Sequence, residues 1–470
     1  MASTGTMVRG GVWSVLANAT AAVRPAAAPA GKPPVREKFL PVTRHALLDR
    51  LTHPSSWPAG EAREARRLMR YLDYWRRHSY AASLLELEQL YEPFSPDSDL
   101  LTTRSFSADE KLAMQKQVVE QMRHFLVQAN FEHVDPSDVK IILTKDSYYG
   151  LDLQVDLGAF EEILIFYRGA TTMSERRRTA KRLFLWHEEI KIPVFQRLFL
   201  LFKLKPFDVR VSEVMREQGL ERKEAEKVVK RTRGRLPGSV KSDFIYMKLF
   251  KNIPRTDIEM IFPNTKVQFR LFDKIKFGVT AGSGLGMGVA GTVGKIALIS
   301  TNPMALIGAL AGLGGVAMRQ ASNFINQRNR YMIVMAQNLY FHAVADNRGV
   351  MTLLADRAAE EDIKEEMLLY SALAKAPVNV RDLKAVDEAI EAYIKDTFDL
   401  DVDFDISDAL ERLKQDELVT ELPDGTLSAL PPHAAAKQID KLWDQCLDQL
   451  PDPPAIGHEF DGATGGPAAA

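Results

Sequence analysis

Residues 277–318 read FGVTAGSGLGMGVAGTVGKIALISTNPMALIGALAGLGGVAM, and Lys295 is the only charged residue among them. The turn signal Ser300–Pro303 divides this stretch into segments of about 277–299 and 303–318. Each segment approaches the length that a helix needs to cross a hydrocarbon layer of about 30 Å. We therefore expect a two-helix transmembrane hairpin at 277–318.

Glycines in this stretch recur four residues apart, a spacing that lets two helices approach closely in a bilayer. The alternatives are a flexible loop and a buried glycine-rich helical hairpin in a soluble core, where each glycine costs roughly 1 kcal/mol against alanine. The glycines expected to pack the helices in the membrane are Gly282, Gly284, Gly286, Gly288, Gly308 and Gly312.

The charges of the chain are unevenly distributed, although the net charge is −1. Residues 176–276 contain 26 basic and 12 acidic residues, a net charge of +14, whereas residues 351–460 contain 10 and 26, a net charge of −16. Anionic membrane surfaces attract a basic block beside an apolar segment. Basic flanks also place both large regions on the same, matrix-like side of the membrane.

Part of this basic block is a candidate contact for anionic lipid headgroups, with a solvated basic surface as the alternative. The residues in question are Arg176, Arg177, Arg178, Lys181, Arg182, Lys274, Lys276 and Arg319. A second cluster, formed by Arg231, Arg233 and Arg235, has the same two interpretations.

The first 36 residues contain nine alanines and no aspartate or glutamate. A cationic, acid-free segment of this kind is typical of an organelle transit peptide, and a disordered tail is the alternative. We expect the protein in an organelle membrane, with the mitochondrial inner membrane favoured and a plastid membrane as the alternative.

The remaining pattern predicts an α+β protein that is mostly helical, with a small antiparallel or mixed sheet in the middle. A single amphipathic helix is expected over Val211–Thr232. The predicted regions are a helical region at 37–135, a basic α+β domain at 136–276, the hairpin at 277–318, a long helical region at 319–376, an acidic winged-helix-like module at 377–448 and a disordered tail at 449–470.

The C-terminal module is predicted from a helix and a hairpin. Asp405 can cap a helix, and Asp424-Gly425 is a turn signal between two strand-like runs. Residues 405–418 carry a net charge of −3, which opposes binding to phosphates. We expect a packing or protein-interaction module and no nucleic-acid partner.

Catalytic chemistry is not indicated by any motif. The nine histidines show no metal-ligand spacing, and paired acids on helices are interpreted as solvated. Cys446 is the only cysteine, which excludes an intrachain disulfide and a multi-thiolate metal site. No catalytic residue, metal or cofactor is predicted.

Several longer segments resemble the transmembrane protein 143 family, a domain of unknown function found in animal mitochondrial proteins and in bacteria. They include EKFLPVTRHALLDRL (37–51), LYEPFSPDSD (90–99), QANF (128–131), KLFKNIPRTDIEMIFPNTKVQFRLFDKIKFG (248–278), LLADRAAEEDIKEEMLLYSALA (353–374) and DVDFDISDALERLKQDELV (401–419). The resemblance implies a two-pass membrane protein, mitochondrial in eukaryotes, and brings no activity, cofactor or catalytic residue.

The function predicted from these features is that of a two-pass integral membrane protein of an organelle. It would act as a non-enzymatic scaffold or regulator for an unidentified protein partner. The alternative is a membrane-surface enzyme or lipid-handling protein that acts through the basic α+β domain.

Overall fold

Helices and a central sheet make up the computed structural model, which describes residues 36–98, 104–134, 151–154, 156–178, 187–234, 236–255, 258, 261–263, 266–269, 339–448 and 458–459. Helices α1–α9 span Arg44–Leu51, Glu61–Tyr91, Ala108–Gln128, Phe207–Gln218, Arg222–Arg233, Asn347–Leu373, Leu383–Phe398, Ile406–Gln415 and Pro432–Gln445. Strands β1–β12 span Arg104–Ser105, Glu132–His133, Leu151–Gln154, Phe160–Arg178, His187–Leu204, Ile245–Pro254, Lys266–Phe269, Ala343–Asp346, Val378–Asn379, Val419–Glu421, Thr426–Ala429 and His458–Glu459. Short 3₁₀ turns occupy Pro54–Ser56, Glu92–Phe94, Leu157–Ala159 and Val380–Asp382.

The largest sheet has five antiparallel strands in the order β2-β4-β5-β6-β8. In its middle strand, Phe199 and Leu201 belong to the core shared with the helices, whereas Leu198 and Leu200 belong to a second core on the other face. Because both faces are covered, β5 carries an apolar run rather than an alternating pattern. A run of this kind is typical of a strand that is buried on both faces.

Local capping signals decide where several helices begin and end. α3 begins with a capping box, since the Glu110 amide donates to Ser107 Oγ and the Ser107 amide donates to the Glu110 carboxylate. The prediction of one helix over Val211–Thr232 is wrong. α4 ends at Gly219, whose φ of 64° is left-handed, and α5 starts anew three residues later.

The C-terminal elements agree with the predicted helix and hairpin. Asp405 caps α8 by accepting a hydrogen bond from the Ser407 amide at 2.9 Å. β10 and β11 pair antiparallel around Asp424-Gly425, and Gly425 has a φ of 81°. β9 joins this hairpin to give the order β10-β11-β9.

The predicted fold class requires a correction. It included a transmembrane hairpin at 277–318, and these residues lie outside the described ones. Within the described ranges, no helix has the length and apolar character needed to cross a membrane. The long helices α2 and α6 contain charged as well as apolar residues. They pack against each other and against other parts of the protein. The class is therefore corrected to α+β with an antiparallel sheet, and the two-pass membrane protein is not carried further.

Asn347 connects the sheet to α6. This helix packs against α1, α2, α3, α7 and α8, and these six helices are here called the helical half. The side chain of Asn347 is buried and continues the β6–β8 ladder, because Asn347 Oδ1 accepts a hydrogen bond from the Met247 amide at 3.0 Å. Its amide nitrogen donates to Asp97. The backbone φ of 43° is a conformation that asparagine tolerates better than most residues.

We expect Asn347→Ala to lower the free energy of unfolding by roughly 2–4 kcal/mol, because it leaves a buried amide unpaired and strains the backbone. Asn347→Gly is the matched control, since it removes the same hydrogen bonds but permits a positive φ. Urea unfolding should rank wild type above the glycine variant and the glycine variant above the alanine variant. Equal stability of all three proteins would contradict this account of the junction.

Candidate functional site

Charged residues fill the middle of α6, although this part of the helix is enclosed. Every residue from Glu361 to Leu373 is buried. This run begins with the sequence EDIKEE at 361–366, which has five charged side chains. Such side chains are seldom buried unless they are paired, so the helix depends on partners from neighbouring elements.

The principal partner is Arg412 of α8, which reaches three carboxylates of α6. Its Nε lies 2.8 Å from Glu366 Oε1, and one terminal nitrogen lies 2.8 Å from Glu365 Oε2. The other lies 3.2 Å from Asp362 Oδ1. Spacings of three and four residues put these carboxylates on one face of the helix, so one guanidinium can bridge them.

A second guanidinium comes from Arg76 of α2. It lies 2.9 Å from Glu366 Oε1 and 2.7 Å from Asp416 Oδ2. Tyr80, one turn further along α2, donates its hydroxyl to Asp362 Oδ2 at 2.7 Å. These contacts define a charge cluster that consists of Arg76, Asp362, Glu365, Glu366, Arg412 and Asp416.

The charge cluster is acidic in excess, with four carboxyl groups and two guanidiniums. Burial raises the pKa of Asp362 to about 7 and that of Glu365 to about 8, although Arg412 opposes both shifts. Burial and the neighbouring Asp362 raise the pKa of Tyr80, so its hydroxyl remains a donor. The cluster therefore holds protons at a pH where ordinary carboxyl groups have lost them.

Another face of α6 binds the N-terminal segment 36–43, here called the strap. Lys364 Nζ lies 2.8 Å from Glu361 Oε1 and donates to the Leu40 carbonyl at 2.6 Å. In return, the Leu40 amide donates to Glu361 Oε2 at 3.0 Å. The backbone of Glu37 pairs with that of residues 401–403, so the strap also reaches the C-terminal module.

A cavity of about 290 Å³ lies beside the charge cluster, between α2, α3 and α8. Its wall includes Tyr80, His124, Asp362, Glu411 and Arg412. The described residues include no group of three or more side chains suited to a metal ion. The carboxyl groups of the charge cluster can bind protons, and its ion pairs to Arg412 hold α8 against α6.

Most residues that the sequence predicted as sites are not brought together by the described structure. The glycines at 282–312 and Lys181, Arg182, Lys274, Lys276 and Arg319 lie outside the described residues. Arg176, Arg177 and Arg178 lie at the end of β4, in register with Glu189, Glu188 and His187 of β5. Their contact with lipid headgroups stays a prediction.

The charge cluster was missed by the sequence analysis. Paired acids on helices were interpreted as solvated, and for Asp362, Glu365 and Glu366 this was wrong. One sequence feature sets α6 apart, because its residues show no division into a polar and an apolar face, as a surface helix would. That feature does not identify the partners of its charges.

Comparison with known proteins adds one match. Residues 160–349 match the model of a protein family that is described as a protein of unknown function (DUF3754). The match begins at the first residue of β4 and ends in the first turn of α6. No solved structure matches the chain.

We expect Arg412→Met to lower the free energy of unfolding by about 3–5 kcal/mol, because it strands buried carboxylates. Lys414→Met is the control on the same helix. Lys414 pairs with Glu421 at the surface, so its loss should cost less than about 1 kcal/mol. Urea denaturation followed by circular dichroism measures both values. Similar costs for the two variants would show that the cluster contributes no more than a surface ion pair.

Proposed function

We propose that the protein is a pH-responsive, non-enzymatic scaffold in which protonation of the charge cluster sets the rigidity of the helical half. The single observation that carries this proposal is the burial of four carboxyl groups against two guanidiniums. Guanidiniums remain charged at all physiological pH values, so only the carboxyl groups can adjust the net charge.

The position of the cluster supports a role in holding elements together. Arg76 comes from α2 and Arg412 from α8, and Glu366, the carboxylate that contacts both of them, comes from α6. Asn130, which follows α3, donates to Glu365 Oε1 at 3.0 Å. A change in the charge of Asp362 or Glu365 therefore acts on α2, α6, α8 and the segment after α3 together.

The internal contacts of Arg412 also favour a scaffold over a nucleic-acid-binding protein. α8 precedes the β10–β11 hairpin and would be the helix to meet a nucleic acid in a winged module. One of its two basic residues is Arg412, whose side chain is committed to carboxylates inside the protein. The surface that remains has little positive charge to neutralise phosphates.

The direction of the pH response follows from where the protons are bound. In the unfolded chain these carboxyl groups ionise near pH 4, whereas in the folded protein Asp362 and Glu365 titrate at about 7 and 8. Between about pH 4 and pH 8 the folded state binds more protons than the unfolded state. The free energy of unfolding therefore falls as the pH rises, by about 1.4 kcal/mol per pH unit for each such proton.

We expect the urea midpoint of the wild-type protein to fall between about pH 5.5 and 8.5, and Glu365→Gln to flatten that fall. Glutamine preserves the shape of the protonated side chain but cannot ionise. Asp362→Asn should also flatten the fall, because asparagine cannot ionise. Its side-chain oxygen can still accept the hydrogen bond from Tyr80.

Asp356→Asn is the control for this experiment. Asp356 lies on α6 too, but it is half exposed and pairs with Arg77 at the surface, so the pH response should match that of the wild type. A wild-type midpoint that is constant over this range would remove the basis of the proposed function. The same conclusion would follow from identical slopes in the wild type and the Glu365→Gln variant.

We also propose a relationship to the transmembrane protein 143 family and import into an organelle. The support for the relationship is the set of sequence segments that resemble that family, among them the motif at 248–278. The acid-free composition of residues 1–36 supports import.

Fusion of residues 1–36 to a fluorescent protein should direct it into mitochondria, as judged by microscopy and protease protection. A paired variant with Arg9→Glu and Arg24→Glu should remain outside, because it loses the cationic character that drives import. Equal import of both fusions, or of neither, would contradict a targeting role.

A further inference from the structure

The lysines that the fold encloses are paired with carboxylates, with one exception. Among the lysines whose side chains the structure describes, six are buried or half-buried, and five of these have a carboxylate oxygen within 3.3 Å. The five pairs are Lys203–Glu161, Lys205–Glu213, Lys248–Asp346, Lys364–Glu361 and Lys414–Glu421. The sixth lysine is Lys375, whose Nζ forms no ion pair and no hydrogen bond within the described part of the chain.

Lys375 follows the end of α6 and lies on an aromatic ring. Its Nζ is 4.8 Å from the centre of the Trp57 ring. Trp57 is 6% exposed, and its Nε1 donates to the Leu51 carbonyl at 2.8 Å, so the position of the ring is fixed. A ring face attracts an ammonium, but it offers no lone pair of the kind that a carboxylate presents to the three N–H donors of lysine. The ring therefore removes water from one side of the amine without replacing its hydrogen bonds.

This environment favours the uncharged amine. Burial lowers the pKa of Lys375 to about 8, because the ammonium loses water and gains no described carboxylate in exchange. At pH 7.5 about a quarter of such an amine is neutral, compared with about 0.1% for an ordinary lysine. Only the neutral amine has the lone pair that a nucleophile needs, and desolvation is a known way to activate lysine.

The amine is also open to a reagent. Side-chain nitrogens that are shielded from solvent and lack a hydrogen-bond partner do occur in the described residues, as at Arg76 Nε, but Lys375 Nζ is not one of them. Since Lys375 Nζ has no described partner, this means that its tip contacts solvent. Lys375 therefore combines partial desolvation with access.

We propose that Lys375 is a site of acylation by acyl thioesters. Its neutral Nζ attacks the thioester carbonyl carbon, and a C–N bond forms as the C–S bond breaks. The departing thiolate takes up the proton that the amine loses, so the products are an amide and a thiol.

The environment of Lys375 suits an acyl group better than a charged one. The amide product is neutral, so it carries no charge that the fold must desolvate. A carboxylated or phosphorylated amine would instead place an anion against the electron-rich face of Trp57. The site is independent of the charge cluster and of the proposed pH response.

Incubation of the full-length protein with acetyl-coenzyme A at about pH 7.5 tests the proposal, with the initial acetylation rate of each lysine measured by mass spectrometry of chymotryptic peptides. Lys414, which is half-buried but paired, and Lys384, which is exposed, are the internal references. We expect Lys375 to react at least about tenfold faster than either reference, a smaller factor than its neutral fraction alone would give, because a weaker base is a weaker nucleophile. A rate for Lys375 that does not exceed those of both references would overturn the proposal.

Two controls show whether the fold and this residue are responsible. In urea at a concentration that unfolds the protein, Lys375 should react within about twofold of Lys384, because the desolvation is lost. A preference that persists in urea would derive from the local sequence and would contradict the proposal. Lys375→Arg should abolish the fast phase of acetyl incorporation into the intact protein, since arginine stays charged, whereas Lys414→Arg should preserve it. A fast phase that survives in the Lys375→Arg protein would assign the reaction to another residue.

Discussion

The burial of charge in the middle of α6 is the constraint on which the helical half of this structure depends. A buried carboxylate without a partner costs several kilocalories per mole, so each acid of the EDIKEE segment requires a cation or donor at a defined place. Arg412 and Arg76 supply the cations, and Tyr80 and Asn130 supply donors. The same bonds fix the positions of α2, α8 and the segment after α3.

A helix with charged side chains on more than one face connects parts of the chain that are far apart in sequence. On one side Glu361 and Lys364 bind the strap at 36–43, and on the other the charge cluster binds α8. Hydrophobic contacts tolerate small shifts, whereas these polar contacts do not, because each distance decides whether a hydrogen bond forms. The contacts of the cluster therefore define how α2, α6 and α8 pack together, and in the proposed function its excess of carboxyl groups makes that packing sensitive to protons.

Elements with a strong local signal were predictable. Asp405 and Asp424-Gly425 marked α8 and the β10–β11 hairpin, and the sheet expected in the middle of the chain is present. The prediction for Val211–Thr232 failed because Gly219 can end a helix without interrupting the apolar period around it. The hairpin expected at 277–318 rested on composition, and composition does not distinguish lipid from protein as the surroundings of a glycine-rich segment.

The sequence by itself determined the local features: the α+β class, the turns, the caps and the strongly acidic C-terminal region. These depend on interactions within a few residues or on composition, both of which can be read along the chain. Only the tertiary structure decided that Asp362 and Glu365 are buried while Asp356 on the same helix is half exposed, and that Arg233 faces a cavity while Arg231 faces solvent. The physical reason is that desolvation and pairing of a charge depend on atoms brought in from distant positions, such as Arg412 and Leu204, whose proximity no local pattern encodes.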